Sequence, residues 1–590
     1  MYLQHQSMLP YCYYDHSSGK IILKLISGSE IISAKVIYGD PFMYVETEKL
    51  DKFGDNIWDW QYSQAELSQQ YVTDETVMWR VALTPPKTRR MKYAFIVTTQ
   101  AGESIYYSEN GTMPFTKDAN NMPHNHFFVP FIHSVDALQA PEWASNICWY
   151  QIFPDRFFNG DHSITPKDAE CWETGTPKYR NFFGGDLRGI IEKLPYLQEL
   201  GVTGIYMTPV FLSPSNHKYD IQDYFAIDPH FGDKETLKEL VSKAHSMGMK
   251  VMLDAVFNHI GSQHAFWQDV LKNQENSKYA GYFHIHSFPV LEQYPSRDAL
   301  NYDAFAFVPA MPKWNTENPD ARKYLIDAAI YWIKECDIDG WRLDVSDEVS
   351  FDFWREFRDA IAECKPDFYV LGEIWHDPSK WLNGKYFDAV MNYPLGRVIH
   401  DMFVTKTIGP DTFNQALVAK LMKFSDLHNR VQFNLLDSHD TARVLWETDG
   451  DKLALKNAFL FMMLMKGAPC IYYGTEVGME GGGDPDCRRP MVWDAKKQDL
   501  ALAEFFKRLI ALRKQNNTLV QHANMSYQRD GTLCRWTLSD GGNALRIIYN
   551  AGDENVKLDG HVLLATSGDA GVLPMKACAV TIFTAQDKFL

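Results

Sequence analysis

Between residues 147 and 474 the chain alternates short apolar runs with amphipathic segments, and this rhythm limits the fold more than any other feature. The runs are ICWYQIF (147–153), VTGIYMT (202–208), KVMLDAV (250–256), DGWRLDV (339–345), FYVLGEI (368–374), FDAVMNY (387–393), QFNLLDS (432–438) and APCIYYG (468–474). Near-continuous apolar runs are what strands buried on both faces require. Helical patterns such as KETLKELVSKAHSMG (234–248) precede most of them. Eight such units predict a closed (β/α)8 TIM barrel, an α/β fold whose strands end together at one rim.

Three acids sit at the ends of these runs: Asp344 in GWRLDVSDE (340–348), Glu373 in VLGEIWH (370–376) and Asp440 in LLDSHD (435–440). A barrel of about 250 residues averages roughly 31 per βα unit. Asp344 to Glu373 covers 29 residues, one unit; Glu373 to Asp440 covers 67, two units, with FDAVMNY as the strand between. The acids therefore belong to strands four, five and seven and meet at one rim. Asp254 to Asp344 covers 90 residues although their runs are consecutive. The excess of roughly 60 over one unit predicts an inserted lobe, about 260–315, after strand three. It is aromatic-rich and irregular, as a wall over a substrate site would be.

The flanks read differently. Residues 1–135 form an N-terminal β-sandwich domain, with IILKLIS (21–27), AKVIYG (34–39), MWRVALT (78–84) and KYAFIVTT (92–99) as alternating strands. The barrel domain covers 136–515 and ends in the helical AEFFKRLIALRKQ (503–515). Strands CRWTLS (534–539), ALRIIYN (544–550) and CAVTIFT (578–584) predict a C-terminal β-sandwich domain over 516–590.

With 75 Asp and Glu against 58 Lys and Arg, a net charge of −17 and no basic run, the composition argues against nucleic acid as a partner. The first fifteen residues, MYLQHQSMLPYCYYD, carry neither a basic start nor an apolar core, and the longest apolar stretch, AFLFMML (458–464), is far short of a membrane span. The nine cysteines are scattered and form no CxxC pair, so neither a disulfide framework nor a zinc site is expected. A soluble cytoplasmic protein with no membrane partner is the expectation.

The acids carry the chemistry. Two carboxyl groups flanking a glycosidic bond, with a third steadying the sugar, are what acetal hydrolysis needs. Arg342 and Asp344 lie two apart on a strand and face the same way. A guanidinium there is expected to lower the Asp344 pKa and orient it as a nucleophile. Glu373, in an apolar run beside Trp375, is placed for a raised pKa and a general-acid role. His259 in DAVFNH and His439 in SHD can hydrogen-bond sugar hydroxyls, while Asp440 grips the ring. DxxxNH is not a zinc-binding HExxH, and Arg342 would repel a metal at Asp344. The glycine-rich GMEGGGDP (478–485) lacks the GK[ST] of a phosphate loop and reads as a turn.

DAVFNH, GWRLDVSDE, GEIWH and LLDSHD resemble, in order and spacing, the four signature segments of the α-amylase family of retaining glycoside hydrolases. GIYMTPVF (204–211) and GAPCIYYGTEVGM (467–479) match as well. MPKWN (311–315) is similar to the MPKLN of the neopullulanase, cyclomaltodextrinase and maltogenic amylase branch, with Trp314 in place of Leu. HKYDIQDYFAIDPHFGD (217–233) and the N-terminal module resemble that branch too.

The resemblance implies hydrolysis of α-1,4-linked glucans, with Asp344 as nucleophile, Glu373 as acid/base and Asp440 as transition-state stabiliser. Arg342, His259 and His439 would hold nucleophile and sugar, with Tyr219 stacking on that sugar. Asp484 and Arg488 would touch the next sugar towards the non-reducing end, and Glu348, Trp375 and His376 would face the leaving group. Transglycosylation is implied as a side activity, and the N-terminal module would build a homodimer. An oligo-1,6-glucosidase, a glucanotransferase or an inactive glucan-binding barrel would share the same residues.

Members of this branch often bind calcium through an NGDxxND loop plus a GGD segment. Asn159, Gly160, Asp161, Gly184 and Asp186 are present, but Ile164 and Thr165 stand at the last two loop positions. Losing two oxygen ligands weakens a hard-cation site, so weak or absent calcium is expected, and no other cofactor.

Overall fold

The computed structural model describes residues 1–583 apart from 51–52, 117–119, 123, 292–295, 297–298, 559–560 and 569–570. Part of the inserted lobe and the last residue of CAVTIFT thus lie outside the described residues. Each of the eight apolar runs supplies a barrel strand: β1 (Trp149–Ile152), β2 (Gly204–Met207), β3 (Lys250–Ala255), β4 (Gly340–Leu343), β5 (Tyr369–Gly372), β6 (Ala389–Val390), β7 (Phe433–Asn434) and β8 (Ala468–Tyr472). They pair in parallel in the order β6-β5-β4-β3-β2-β1-β8-β7. A parallel bridge between Met391 and Phe433 joins β6 to β7 and closes the ring.

The strands are buried on both faces, which explains why they read as runs rather than as alternations. In β2, Ile205 and Met207 join the large cluster under the helices, whereas Tyr206 between them points into the barrel. Trp149, Tyr206, Met252, Tyr369, Met391 and Phe433 fill the interior. Several helices have side-chain caps that stop fraying at their N-termini. Asp186 accepts from Gly189 N at 2.6 Å ahead of Leu187–Leu200, Asp233 from Thr236 N at 2.8 Å ahead of Lys234–Ser246, and Ser350 caps Phe351–Cys364.

In the N-terminal module, strands Lys20–Gly28 and Thr76–Leu83 pack against Ile31–Gly39 and Met91–Thr99 over Ile21, Leu23, Leu25, Val36 and Phe95. Its strand Ser68–Val72 also pairs with Asn524–Asp530 of the C-terminal module through Tyr71 and Met525, so the two modules, distant in sequence, share one ten-stranded sheet. Lys24, buried in the first of these strands, reaches across to the barrel. Its Nζ lies 2.7 Å from Asp426 Oδ1 and donates to Phe424 O at 3.1 Å. The N-terminal module is therefore fastened to both other parts of the chain.

Trp314 of MPKWN anchors the inserted lobe. It is buried, stacks on Phe283 with centroids 5.1 Å apart, and its Nε1 donates to Tyr224 Oη at 3.1 Å. Lys313 beside it pairs with His259 in an antiparallel bridge, which sets the lobe against the end of β3.

Candidate active site

The three acids stand just beyond the ends of β4, β5 and β7, and the barrel's hydrogen-bond ladder fixes the first two. Asp344 N donates to Ala255 O at 3.0 Å and Glu373 N to Leu343 O at 3.0 Å, each bond extending its strand pair past the last regular residue. Val345 follows at φ 45° and ψ 45°, a left-handed conformation costly for a β-branched side chain. That strained turn aims its N–H at Glu373 Oε2, 3.0 Å away.

Arg342, fully buried in β4, is the hub of the site. Its Nη1 donates to Asp344 Oδ1 at 2.8 Å and to both oxygens of Asp254 at 3.0 and 3.1 Å. Its Nη2 lies 2.7 Å from Glu373 Oε1. One guanidinium thus holds three carboxyl groups.

Burial pushes the Asp344 carboxyl well above its usual range, opposed by the pull of Arg342. The expectation that Arg342 lowers the Asp344 pKa is corrected on this point, because the desolvation of a crowded acid cluster outweighs a single shared cation. Burial likewise raises Glu373, against Arg342, and raises Asp254 to about 6. Burial and the one cation act on all three acids at once, so their titration belongs to the cluster rather than to one member.

Asp440 lies across the site. Its Oδ2 is 3.3 Å from His439 Nε2, and its Oδ1 is 3.3 Å from Arg488 Nη2. Arg488 Nη1 also holds Asp484 Oδ1 at 3.0 Å, so Arg488 ties the two acids together. His439 is buried between Gln151 Nε2, 2.7 Å from its Nδ1, and Tyr219 Oη, 2.7 Å from its Nε2. Tyr219 stacks on the His439 ring, nearly parallel at 5.6 Å, and donates to Asp254 Oδ2 at 2.9 Å. Burial drives His439 well below the ordinary imidazole range and His259 down to about 3, so both stand neutral. His259 stacks on Phe305 at 4.8 Å, and its Nε2 is buried without a hydrogen-bond partner among the described residues.

On the opposite side Trp375, half exposed, stacks on Tyr393 with centroids 3.7 Å apart, and its Nε1 donates to Glu373 Oε1 at 3.2 Å. His376 Nε2 lies 2.9 Å from Asp347 Oδ2. Glu348 pairs with Lys313 at 2.7 Å. Every residue singled out from the sequence for catalysis or sugar binding lies on this rim.

Sequence reasoning noted Asp254 in DAVFNH without giving it a role of its own, and missed Gln151, Lys313 and Tyr393. Asp254 carried a signal, a lone acid inside the apolar run KVMLDAV, and Lys313 lay within a motif already noted. Gln151 and Tyr393 carried none, since their roles come from neighbours on other strands.

The residues of the possible calcium site are otherwise engaged. Asp186 accepts backbone N–H groups from Gly160, Asp161 and Gly189, and Asp161 Oδ1 accepts from Ser163. Asn159 Nδ2 donates to Thr165 Oγ1 at 2.8 Å, and Gly184, at φ +84°, has the Thr165 methyl packed where a Cβ would stand. Asn159 Oδ1 is the one buried side-chain acceptor of this set without a partner among the described residues, whereas calcium takes about six to eight oxygens. The donor set does not fit a hard cation.

The family described as alpha amylase, catalytic domain, matches residues 151–522, and alpha amylase, N-terminal ig-like domain, matches residues 1–133. An intracellular maltogenic amylase from Bacillus subtilis is 46% identical over 522 residues, 88% of this chain and 84% of that protein. Neopullulanase 2 from Thermoactinomyces vulgaris is 42% identical over 503 residues, 85% of this chain and 82% of that protein. The solved structure of a cyclomaltodextrinase superposes with a TM-score of 0.87 at 38% identity, covering 98% of this chain and 99% of that one. The chain belongs to the alpha-amylase family of glycoside hydrolases, in the branch that holds the maltogenic amylases, cyclomaltodextrinases and neopullulanases.

Proposed function

We propose that this protein hydrolyses α-1,4-glucosidic bonds of cyclodextrins, maltooligosaccharides and pullulan with retention of configuration. The observation that carries the mechanism is the Arg342 fork, with Asp344 on one guanidinium nitrogen and Glu373 on the other. Two carboxyl groups held by the two nitrogens of one guanidinium are drawn together, which supports a retaining pair, because an inverting pair keeps a wider gap for water.

Asp344, in the ionised form that the hydrogen bond from Arg342 Nη1 favours against burial, attacks the anomeric carbon while Glu373 gives its proton to the leaving oxygen, forming a glycosyl ester on Asp344. Glu373, now ionised, takes a proton from water, whose oxygen attacks the same carbon and releases Asp344. Charge develops on the sugar ring in both steps, and Asp440, held by Arg488, stands to offset it. Neutral His259 and His439 hydrogen-bond the sugar hydroxyls, while Tyr219 and Asp254 keep His439 and Arg342 in place. The half-exposed Trp375–Tyr393 stack supports a side activity, because a sugar resting there can replace water as acceptor. An assay on cyclodextrin, pullulan, maltooligosaccharide and starch tests the substrate reading. The first three are consumed faster than starch; starch consumed fastest would overturn it.

The protein works as a homodimer in the cytoplasm and does not require calcium. Support for the dimer comes from Phe42, Trp58 and Phe115, which are 75%, 52% and 40% exposed on the N-terminal module. Sedimentation at micromolar concentration gives a dimer, and Phe42→Arg with Trp58→Arg gives a monomer. A truncation from residue 136 is a poorer test, because it also removes Lys24 from Asp426 and Tyr71 from Met525. As to location, no helix among the described residues is long and apolar enough to cross a membrane, and the Bacillus subtilis relative is named intracellular. Activity unchanged after chelation is the expected result for calcium; loss restored only by calcium would contradict it.

A further inference from the structure

A second cavity of about 1020 Å³ opens beside the catalytic rim, and none of Asp344, Glu373 or Asp440 lines it. Its walls come from the segments after β1 and after β8, so it lies at the same end of the barrel as the three acids. One stretch of chain separates the two sites. Arg488 faces Asp440 and Asp484, while its neighbour Arg489 lines the cavity, locked to Asp486 at 2.7 and 2.8 Å. Buried Arg156 braces that partition by donating to Arg488 O at 2.8 Å.

The lining has the chemistry of a sugar site. Trp172 and Trp493 are partly buried, and their ring N–H groups are tied to the backbone, to Met491 O at 3.0 Å and Phe157 O at 2.6 Å. Fixing the polar edge leaves the Trp172 ring as a rigid apolar surface, while Lys193 Nζ lies over the Trp493 ring at 4.3 Å. Glu170, Glu173 and Glu480 add carboxylates, and acids outnumber Lys and Arg in the lining. Such a wall repels phosphates and other anions but offers paired acceptors to vicinal hydroxyls. Its volume is at the upper end for small-molecule sites, enough for linked hexoses. Tyr179, in the loop between cavity and cleft, donates to Asp484 O at 3.2 Å, so a glucan leaving the cleft past Asp484 meets the cavity's rim.

The geometry points to a second, non-catalytic α-glucan site in this cavity, holding a maltooligosaccharide against Trp172. This inference rests on the reading of the protein as an α-glucan enzyme. It is tested by calorimetric titration of maltotriose into full-length Glu373→Gln protein, in which hydrolysis is blocked. Two binding sites are expected, and adding Trp172→Ala weakens one of them by about tenfold while the other is unchanged. In the otherwise wild-type enzyme, Trp172→Ala leaves the turnover of a p-nitrophenyl maltoside unchanged. Should Trp172→Ala fail to fold, the rim pair Glu173→Arg with Glu480→Arg decides by the same two readouts. A single site in the Glu373→Gln protein, or two sites that neither variant weakens, overturns the inference alone. No maltotriose binding at all overturns the functional reading with it.

Discussion

Asp426 joins the N-terminal module to the barrel, and replacing it gives a prediction whose size follows from the geometry. Asp426 is 6% exposed and Lys24 fully buried, with Nζ 2.7 Å from Oδ1; Arg80 Nε contacts Oδ2, and Gln70 donates to Oδ1 at 3.0 Å. Three buried or partly buried cations, with Lys466 as the third, surround this carboxylate and hold its pKa well below the usual range against the cost of burial. Asp426→Asn keeps the shape but leaves Lys24 as a buried charge without a counterion, which costs about 3–5 kcal/mol. The module should then melt in its own calorimetric transition, below that of the barrel. Lys24→Met combined with Asp426→Leu should recover the share of the loss that Lys24 carries, because the apolar pair removes that unpaired charge, while Arg80 and Lys466 still lack their counterion. The penalty depends on pH. A depressed carboxyl stabilises the fold above its unfolded pKa of about 3.9 and loses this as pH falls through the folded value, so wild type and Asp426→Asn converge in acid. A loss below about 0.5 kcal/mol at pH 7, or no recovery in the double variant, would refute the reasoning.

Lys466 is buried beside the same cluster and its pKa falls to about 7. The unfolded chain binds that proton up to about 10.5, so stability should rise from pH 7 to 9, and Lys466→Met should flatten the slope of melting temperature against pH. Arg342→Lys keeps the charge but not the fork, and kcat should fall by about 10²-fold or more, with Asp344 and Glu373 no longer held together; a change within twofold would remove Arg342 from its positioning role. Glu373→Gln should lower kcat by about 10²–10⁴-fold on maltooligosaccharides and by much less on a glycosyl fluoride, whose leaving group needs no proton. Equal losses on both substrates would argue against a general acid.

The barrel was legible because parallel strands buried on both faces must be apolar throughout, and the acids that interrupt them mark their ends. Asp344, Glu373 and Asp440 could be assigned to strands from the apolar runs that they end, with the spacing between them as a check. The join between modules was not legible: Tyr71 and Met525 are 454 positions apart, and nothing near either announces the pairing. Nor was the charge state of the site. Two residues at the end of β4 suggested an ion pair, but Arg342 also serves Asp254 and Glu373, and the burial that raises all three acids exists only after the barrel closes. Sequence reveals which groups can meet more readily than how one cation is divided among them.

The central claim is a covalent glycosyl ester on Asp344. Incubating Glu373→Gln protein with a 2-deoxy-2-fluoro-α-maltosyl fluoride slows hydrolysis of the ester while the good leaving group still allows it to form. Mass spectrometry of the intact chain should show one added maltosyl unit, and peptide mapping should place it on Asp344, with no label in Asp344→Asn. An unlabelled chain that nevertheless releases fluoride, with the β-anomer as first product, would contradict the account.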